Sequence, residues 1–386
     1  MMETGKQLIE EAQRLSDLFF DQAETIEAAG RVPADLSKLM AEAGFYRLGV
    51  PQEIGGLEAP PRLSSEIFEI LAQGDASCAW VAFIGTTSGA ALGNVSKEIG
   101  RQILASPTTM LTGVFAPTGR AELTDEGFRV TGRWQWGSGS QNADWIMGGC
   151  MLTKNGEPIL DKAGNPANHM MIMPADKVEL LDTWHVSGLK GTGSVDYQVD
   201  NLLVPTTHGV GYLDHEAHSG PLSSFPSITF LALGIAAVAL GIARASIKEF
   251  VALAGSKKRA HSRKTIAEQP HTHLKLAEAE AQLRSARAFY YEAIDAVWDS
   301  TRQQGRASLA LRRDLRLATT YTVTSCVQVV DAMYALGGGV SVYQTSRLQR
   351  YLRDVQVARQ HIMVSPSVME TAGRLLLDVK ANVSMF

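Results

Sequence analysis

Residues 127–140, GFRVTGRWQWGSGS, decide the fold class of this chain. The apolar and aromatic members of this stretch share one parity, and they are Phe128, Val130, Gly132, Trp134 and Trp136. Polar residues occupy the alternate positions, and a period of two with aromatic side chains predicts a strand that is half buried on one face. Helical periods flank this stretch on both sides. The sequence therefore predicts a fold of the α+β class that is mostly α.

The middle of the chain contains further short runs that are typical of strands, at 111–115, 145–152, 170–173 and 197–203. Asn155-Gly156 and the run from Gly164 to Pro166 separate some of these strands as turns. Together they predict an antiparallel β domain over residues 111–212.

The residues before this block follow a helical period. Apolar side chains recur every three or four residues from Leu8 to Ile26, and Gly30 is placed to end that helix. Further helices are predicted from Pro33 to Gly44 and from Leu63 to Gln73. Asp75 or Ser77 is a candidate N-cap for the helix after them. Residues 1–110 are therefore predicted to form a helical domain.

The residues after the β block predict four long helices, at about 226–254, 271–303, 306–335 and 345–380. Long helices with short connections indicate a bundle, so residues 213–386 are predicted to form a C-terminal four-helix bundle. The apolar run at 228–243 is shorter than the roughly 20 residues that a membrane span needs. We interpret it as part of a buried helix.

The composition narrows the class of protein. The 386 residues are 45% hydrophobic and 20% charged, with a formal net charge of −4, which argues against a nucleic-acid partner. Cys78, Cys150 and Cys326 are far apart, so neither a metal site nor a disulfide framework is indicated. The first residues carry charges that interrupt any signal peptide, and we expect a cytoplasmic protein without a membrane partner.

The order of the three parts, and several motifs within them, resemble the acyl-CoA dehydrogenase superfamily. Residues 132–145 are similar to its flavin-side strand, and residues 188–194, GLKGTGS, lead into a segment similar to its last β-domain strand. The glycine run 337–339, followed by Arg353-Asp354, resembles the last two helices of that superfamily.

Four variants of these motifs resemble one branch, the oxygenase components of two-component flavin-dependent monooxygenases. They are the WxWGSGS form at 134–140, Trp184 before GLKGTGS, GFYRLGVPQEIGG at 44–56 and DASCAW at 75–80. The resemblance implies reduced FMN or FAD supplied by a separate NAD(P)H-dependent flavin reductase, with O2 as co-substrate. It also implies hydroxylation of a small aromatic substrate, a phenol or an indole-like ring, through a flavin C4a-hydroperoxide.

Departures from true acyl-CoA dehydrogenases favour the same branch. Where many of those enzymes carry a catalytic Glu, this chain has Ile362 beside His361. The run 115–122 lacks the Ser-Asp pair that helps to hold acyl-CoA, and 259–263 lacks the Phe and Gly of the FAD clamp. Two alternatives stay open: an acyl-CoA dehydrogenase that acts on an acyl thioester with bound FAD, and a non-catalytic homologue.

The resemblance assigns candidate cofactor contacts. Ser138 takes the place of a hydroxyl residue that contacts flavin N5, and a hydroxyl both accepts and donates hydrogen bonds. Gly137 leaves room for the ring, and Trp136 is expected to pack on it, whereas we interpret Trp134 as a core residue. Backbone and hydroxyl groups at the end of the first strand are further candidates, namely Phe115, Ala116, Pro117 and Thr118. Arg263 and Lys190 are candidate partners of the flavin phosphate, although either is also consistent with a solvated charge.

His361 is the main catalytic candidate, because an imidazole with an ordinary pKa near 6.5 can remove a proton from a phenol or an N–H at neutral pH. The alternative is a helix histidine satisfied by a neighbour such as Asp354. Trp80, Phe83 and Ile84 are expected to form an apolar pocket wall or a plain part of the core, and His185 is a weaker pocket candidate. Apolar stripes on the long helices imply a homo-oligomer, most simply a homotetramer.

Overall fold

The computed structural model describes residues 2–213, 218–258 and 264–386. Helices at the two ends of the chain enclose one large apolar core, and a second core lies in the central sheet around Trp134 and Tyr197. Within the described residues the helices are α1 (Met2–Ala29), α2 (Ala34–Glu42), α3 (Pro61–Gly74), α4 (Ala76–Ala90), α5 (Lys97–Ile103), α6 (Ser227–Ala254), α7 (Pro270–Gln304), α8 (Leu309–Gly337), α9 (Arg347–Ala358) and α10 (Pro366–Leu376). This mostly helical α+β arrangement confirms the predicted fold class, while the predicted domain boundaries stay a prediction.

Local sequence signals explain where the N-terminal helices begin and end. Gly30 adopts a left-handed φ of 64° directly after α1, which a residue with a side chain rarely adopts. Asp75 caps α4, because its carboxylate accepts hydrogen bonds from the backbone N–H groups of Ser77 and Cys78 at 2.9 Å. That cap sets the start of the helix that carries Trp80.

The central strands form a single sheet. They are β1 (Leu111–Thr124), β2 (Gly127–Gly137), β3 (Trp145–Lys154), β4 (Glu157–Pro158), β5 (Asn168–Pro174), β6 (Glu179–Leu181), β7 (Val195–Val204) and β8 (Gly209–Val210). The strand order is β6-β7-β2-β1-β3-β5-β8, with β4 paired to β3. The sheet is mostly antiparallel, as predicted, and one pair departs from the prediction, because β1 and β3 run parallel.

The first strand also differs from its prediction. We expected it to end at Phe115, with residues 115–118 leaving the sheet, but β1 continues to Thr124. Between Val114 and Gly119 its register to β3 shifts, so residues 115–118 bulge out and are exposed. A bulge re-aims side chains and interrupts pairing without ending a strand. The sequence therefore indicated that the regular part of β1 stops at Phe115, but it did not indicate that the strand resumes after the bulge.

The bundle follows the prediction for its first three helices and departs from it in the last. The predicted helix 345–380 is two helices, α9 and α10, separated by a short 3-10 turn from Ile362 to Val364. Pro366 lacks a backbone N–H and is tolerated at the start of α10, whereas it would break a continuous helix. His361 consequently lies at the break and not on a helix.

The apolar run after residue 226 forms most of α6, as predicted, and it is buried among the other helices. Among the residues that the structure describes, three helical segments are by length and composition alone apolar enough to cross a membrane: 76–94, 227–254 and 309–342. The most apolar windows of the first two are 89% and 83% buried inside the protein. The third segment contains α8, and only half of its most apolar window is buried inside the protein.

Candidate active site

Ser138 lies where the central sheet meets the N-terminal helices. It directly follows β2, and Gly137 pairs with Val195 at the start of β7, so Ser138 and Ser194 are neighbours. The two hydroxyl oxygens are 2.7 Å apart. From α4, the Trp80 indole N–H donates a hydrogen bond to Ser138 Oγ at 3.1 Å. The Ser138 side chain is buried and held by groups from two other elements.

The hydroxyl groups of Ser138, Ser194 and Thr192 form a chain of hydrogen bonds. The last contact, from Thr192 to a carbonyl, fixes which hydroxyl is the donor in each of the others. Thr192 donates its proton to the carbonyl oxygen of Leu189 at 2.8 Å, because a carbonyl only accepts. In the 2.7 Å contact between Thr192 and Ser194, Ser194 must then be the donor. Ser138 must in turn donate to Ser194. With its proton engaged there, Ser138 Oγ is left able only to accept a further hydrogen bond.

An exposed aromatic residue, Trp136, lies two positions before Ser138, and its carbonyl accepts the Ser138 backbone N–H at 2.9 Å. Trp136 has a left-handed φ of 67°, rare for a residue with a side chain, and it is 69% exposed. Such strain persists where the surrounding structure imposes it, and it occurs often at functional sites. By contrast, Trp134 is fully buried and donates its indole N–H to the Gly149 carbonyl at 2.8 Å. The prediction that Trp134 is a core residue is confirmed.

The bulge in β1 runs alongside the same segment. Thr112 donates its hydroxyl proton to the Ser138 carbonyl at 2.5 Å, and Thr118 donates to the Arg133 carbonyl at 3.0 Å. Phe115, between these two contacts, is 47% exposed. Phe115 and Trp136 thus offer flat apolar surface on neighbouring strands. An aromatic ring system with polar edges fits such a surface next to an oriented hydroxyl.

His361 approaches the site from the break between α9 and α10. Its ring centroid is 6.1 Å from that of Trp80, the same residue whose indole N–H contacts Ser138. His361 Nδ1 accepts the backbone N–H of Met363 at 3.2 Å. The suggested partner Asp354 is wrong, because that carboxylate accepts the backbone N–H of Leu189.

The surroundings of His361 change the chemistry expected of it. Burial and the positive charge of Arg316 lower the pKa of His361 to about 4, so the ring is neutral at pH 7. Because Nδ1 accepts a hydrogen bond, the neutral ring carries its proton on Nε2. In this arrangement His361 presents a hydrogen-bond donor. The predicted role as a general base stays a prediction, and it requires the other tautomer.

This pKa has a consequence for stability against acid. An unfolded histidine titrates near pH 6.5, so between about pH 6.5 and 4 the unfolded chain binds a proton that the folded chain excludes. Stability must therefore fall as pH is lowered through that window. We expect His361→Gln to lose less of its free energy of unfolding between pH 7 and pH 5 than the wild type. Urea unfolding at the two pH values measures this, and equal losses in both proteins would contradict it.

Some of the predicted site residues lie away from Trp80, Ser138 and His361. His185 is exposed and lines a separate cleft of about 870 Å³, which none of Trp80, Ser138 and His361 lines. Lys190 borders the same cleft and forms an ion pair with Glu27 at 3.4 Å, so its charge is already partnered. Arg263 lies outside the described residues.

Three other predicted positions have packing explanations. Phe83 is fully buried against Gly234 of α6, and Ile84 is only partly buried next to it. A side chain at Gly137 would meet the Tyr197 ring at 2.6 Å, so packing in the sheet already requires this glycine. Of the predicted pocket wall, Trp80 is the residue with a direct polar contact to Ser138.

Two residues of the hydroxyl chain were missed. Thr192 and Ser194 stood in the quoted GLKGTGS run, but nothing in that run indicated that they would meet Ser138, 56 residues away from Ser194 in sequence. The contact depends on the pairing of β2 with β7, which sequence periodicity does not specify.

Comparison with known proteins shows the family of the chain. The family descriptions "Acyl-CoA dehydrogenase, N-terminal domain" and "Acyl-CoA dehydrogenase, C-terminal domain" match residues 2–104 and 233–366. An indole-3-acetate monooxygenase of Acinetobacter baumannii is 32% identical, over 90% of this chain and 88% of that protein. The flavin-dependent monooxygenase oxygenase subunit HsaA of Mycobacterium tuberculosis is 27% identical, over 90% and 89%.

A solved structure shows the same fold. XiaF from Streptomyces sp., in complex with FADH2 and glycerol, superposes with a TM-score of 0.89 at 23% identity, covering 99% of this chain and 98% of that one. The chain belongs to the acyl-CoA dehydrogenase family and, within it, to the flavin-dependent monooxygenases.

Proposed function

We propose that this chain is the oxygenase component of a two-component monooxygenase that hydroxylates a small aromatic substrate. The observation that carries the proposal is the oriented Ser138 hydroxyl, which can only accept a further hydrogen bond. Trp80 donates a hydrogen bond to this hydroxyl, and its ring centroid lies 6.1 Å from that of His361. A bound ring system would use this arrangement fully if its N–H donated a hydrogen bond to Ser138 and its reacting edge faced His361.

The residues present fit reduced FMN or FAD. The exposed surfaces of Trp136 and Phe115 suit the flat isoalloxazine ring, and the exposed bulge at 115–118 offers backbone groups to its polar edge. When bound, reduced flavin reacts with O2 and supplies the electrophilic oxygen for hydroxylation. The protein's own contributions are positioning, exclusion of water and control of protons.

Ser138 would hold the hydrogen on flavin N5. Reduced flavin carries an N–H at N5, whereas oxidised flavin has only a lone pair there. A hydroxyl that can only accept therefore favours the reduced cofactor and retains the N5 proton while oxygen is activated. Burial of Ser138 limits access of water to that proton.

His361 would donate a hydrogen bond to an oxygen atom that takes part in the reaction. Its Nε2–H has no hydrogen-bond partner among the described residues, and it would donate to an oxygen atom of the substrate or of the oxidant. The acyl-CoA dehydrogenase alternative finds no support here. At the position of the expected carboxylate lies Ile362, whose side chain is exposed.

The names of the relatives indicate the substrate class. The 32% relatives are named for indole-3-acetate, and a more distant one is the oxygenase component of p-hydroxyphenylacetate 3-hydroxylase. We propose that this chain also acts on an aromatic substrate of that size and receives its reduced flavin from a separate NAD(P)H-dependent flavin reductase.

The direct test of this proposal supplies the purified chain with a reductase, NADH, FMN or FAD, and either indole-3-acetate or p-hydroxyphenylacetate. Product that carries label from isotopically labelled O2 supports the proposal, and peroxide without product under every condition contradicts it.

The hydroxyl chain yields a prediction about cofactor preference. In Ser194→Ala the Ser138 proton loses its acceptor and becomes free to turn towards N5 of oxidised flavin. We expect oxidised flavin to gain affinity relative to reduced flavin by about fivefold, the scale of one hydrogen bond of about 1 kcal/mol. Anaerobic titration of both redox forms measures the ratio of the two dissociation constants. Ser194→Thr keeps the hydroxyl and should keep the wild-type ratio, whereas an unchanged ratio in Ser194→Ala would refute the assignment.

We also propose that the protein works as a homotetramer. In the segment 309–342, which contains α8, only half of the most apolar window is buried within the chain. Several large apolar side chains near the ends of the bundle are exposed, among them Val342, Tyr343, Ile362, Leu376 and Leu377. Such surface is typical of a subunit interface. Light scattering on the purified protein should give four times the 41.7 kDa chain mass, and a monomer at micromolar concentration would contradict the proposal.

A further inference from the structure

Asp354 is a buried carboxylate next to the far end of the hydroxyl chain. It lies on α9, in the helical bundle. Its Oδ1 accepts the backbone N–H of Leu189 at 2.6 Å. The carbonyl of Leu189 in turn accepts the hydroxyl proton of Thr192 at 2.8 Å. Leu189 therefore connects the bundle to the chain of hydroxyl groups that leads to Ser138.

Leu189 has a backbone conformation that needs support from its surroundings. Its φ is 50°, in the left-handed region that a residue with a side chain rarely adopts. Such strain persists only where the surrounding structure imposes it. Leu189 is also buried, so without Asp354 its N–H would lie inside the protein without an acceptor, which is unfavourable. The hydrogen bond to Asp354 is therefore one of the contacts that keep Leu189 in this conformation.

The loop that carries Leu189 is packed closely on both sides. A Cβ at Gly188 would lie 2.3 Å from the carbonyl oxygen of Arg353, so the loop touches the backbone of α9 directly. Towards the sheet, the Gly139 N–H donates to the Thr192 carbonyl at 2.9 Å. The loop thus joins α9 to the segment that contains Ser138, and its contacts with both set the position of the Leu189 carbonyl.

We propose that Asp354 is a positioning residue for Ser138, and that it acts by holding the Leu189 carbonyl in place. While Thr192 donates to that carbonyl, Ser194 donates to Thr192, and Ser138 donates to Ser194. Without this acceptor the Thr192 hydroxyl can turn towards Ser194, and every hydrogen bond of the chain can reverse. Ser138 is then free to donate a hydrogen bond to flavin N5. The inference rests on the proposed function for the presence of flavin beside Ser138.

This role requires a hydrogen-bond acceptor at position 354 and not a negative charge. Burial and the nearby carboxylate of Asp75 raise the pKa of Asp354 to about 7. In either protonation state a carboxyl group retains an oxygen that can accept the Leu189 N–H. The side-chain carbonyl of asparagine has the same reach. Asp354→Asn should therefore keep the hydrogen bond, whereas Asp354→Leu, of similar size, removes it.

The test measures the dissociation constants of oxidised and reduced FMN and FAD under anaerobic conditions, without turnover. In Asp354→Leu, oxidised flavin should gain affinity relative to reduced flavin by about fivefold compared with the wild type, the scale of one hydrogen bond. Asp354→Asn should keep the wild-type ratio of the two constants. A wild-type ratio in Asp354→Leu, or an equal change in both variants, would overturn the inference.

A double variant distinguishes this role from a general loosening of the fold. In Ser194→Ala the Ser138 hydroxyl is already free to turn towards flavin. Adding Asp354→Leu to Ser194→Ala should therefore change the ratio no further, because both substitutions release the same hydroxyl. If the two effects multiply instead, to about 25-fold, Asp354 acts by another route and the inference is wrong.

Two further variants control for stability. Glu69→Leu removes another buried carboxylate of the helical core, one that accepts the Tyr291 hydroxyl at 2.6 Å, and it should keep the wild-type ratio. A fivefold change in Glu69→Leu as well would assign the effect to general destabilisation and contradict the inference. If Asp354→Leu does not fold, Asp354→Ser replaces it, because the serine side chain is too short to reach the Leu189 N–H. A wild-type ratio in Asp354→Ser would then overturn the inference.

Turnover separates this inference from the proposed function. If the flavin ratios change as expected but no aromatic compound gives labelled product, the role of Asp354 stands and the proposed chemistry fails. If the wild type gives labelled product and the ratios do not change, the monooxygenase proposal stands and the role of Asp354 is wrong. A wild type that binds flavin in neither redox form contradicts both.

Discussion

In Ser138→Ala, the yield of hydroxylated product per flavin oxidised is expected to fall by roughly 10- to 100-fold, with hydrogen peroxide rising to replace it. The variant loses the acceptor for the N5 hydrogen and one member of the hydroxyl chain that orients it, and a hydrogen bond to a developing charge is worth about 1.5–3 kcal/mol. The measurement is the ratio of product to peroxide for each NADH consumed, with the reductase in excess.

The same glycine-serine run provides a matched control for this substitution. Ser140 is buried two residues further on, and its hydroxyl has no hydrogen-bond partner among the described residues. Ser140→Ala should therefore leave the ratio of product to peroxide unchanged. An equal loss in both variants would mean that the loop as a whole, and not the Ser138 hydroxyl, protects the reaction.

The second large effect is expected at His361. Removal of the imidazole in His361→Ala should lower the rate of hydroxylation by about 10²- to 10⁴-fold, the range of a positioned proton donor or acceptor, while flavin affinity changes little. Single-turnover mixing of the reduced complex with O2 and substrate measures that rate. His185→Ala, in the separate cleft, serves as the control and should react like the wild type.

A third variant distinguishes the two roles that His361 can have. The amide nitrogen of Gln takes the place of Nε2 as a donor but cannot act as a base. If the observed tautomer is the working one, His361→Gln should recover part of the rate that is lost in His361→Ala. If His361 removes a proton, Gln should be as slow as Ala.

Much of the fold could be predicted because it is encoded locally. The alternation from Phe128 to Trp134 specifies β2, and the helical period with Gly30 specifies α1 and its end. The break between α9 and α10 was missed because apolar spacing continues through it, although Pro366 was a visible sign. The continuation of β1 beyond its bulge was missed since a bulge and a strand end look alike in sequence.

The site was predictable only in part, for a different reason. Ser138, Trp136 and His361 were named individually from motifs, and the structure places a tryptophan contact between the first and the last. Their chemistry depends on partners that are distant in sequence. Ser194 sets the direction of the Ser138 hydrogen bond, and Met363 sets the tautomer of His361. Burial and the charge of Arg316 together lower the pKa of His361. Spacing along the chain carries no signal for such contacts.

Rapid mixing of the anaerobic protein and photoreduced flavin with oxygenated buffer, with indole-3-acetate present or absent, tests whether the chain is a reduced-flavin monooxygenase. We expect oxidised flavin to reappear slowly in the wild type and faster in Ser138→Ala, and label from O2 to enter the aromatic ring. Immediate reappearance of oxidised flavin in both proteins without labelled product, together with reduction of bound FAD by an acyl-CoA thioester, would contradict it.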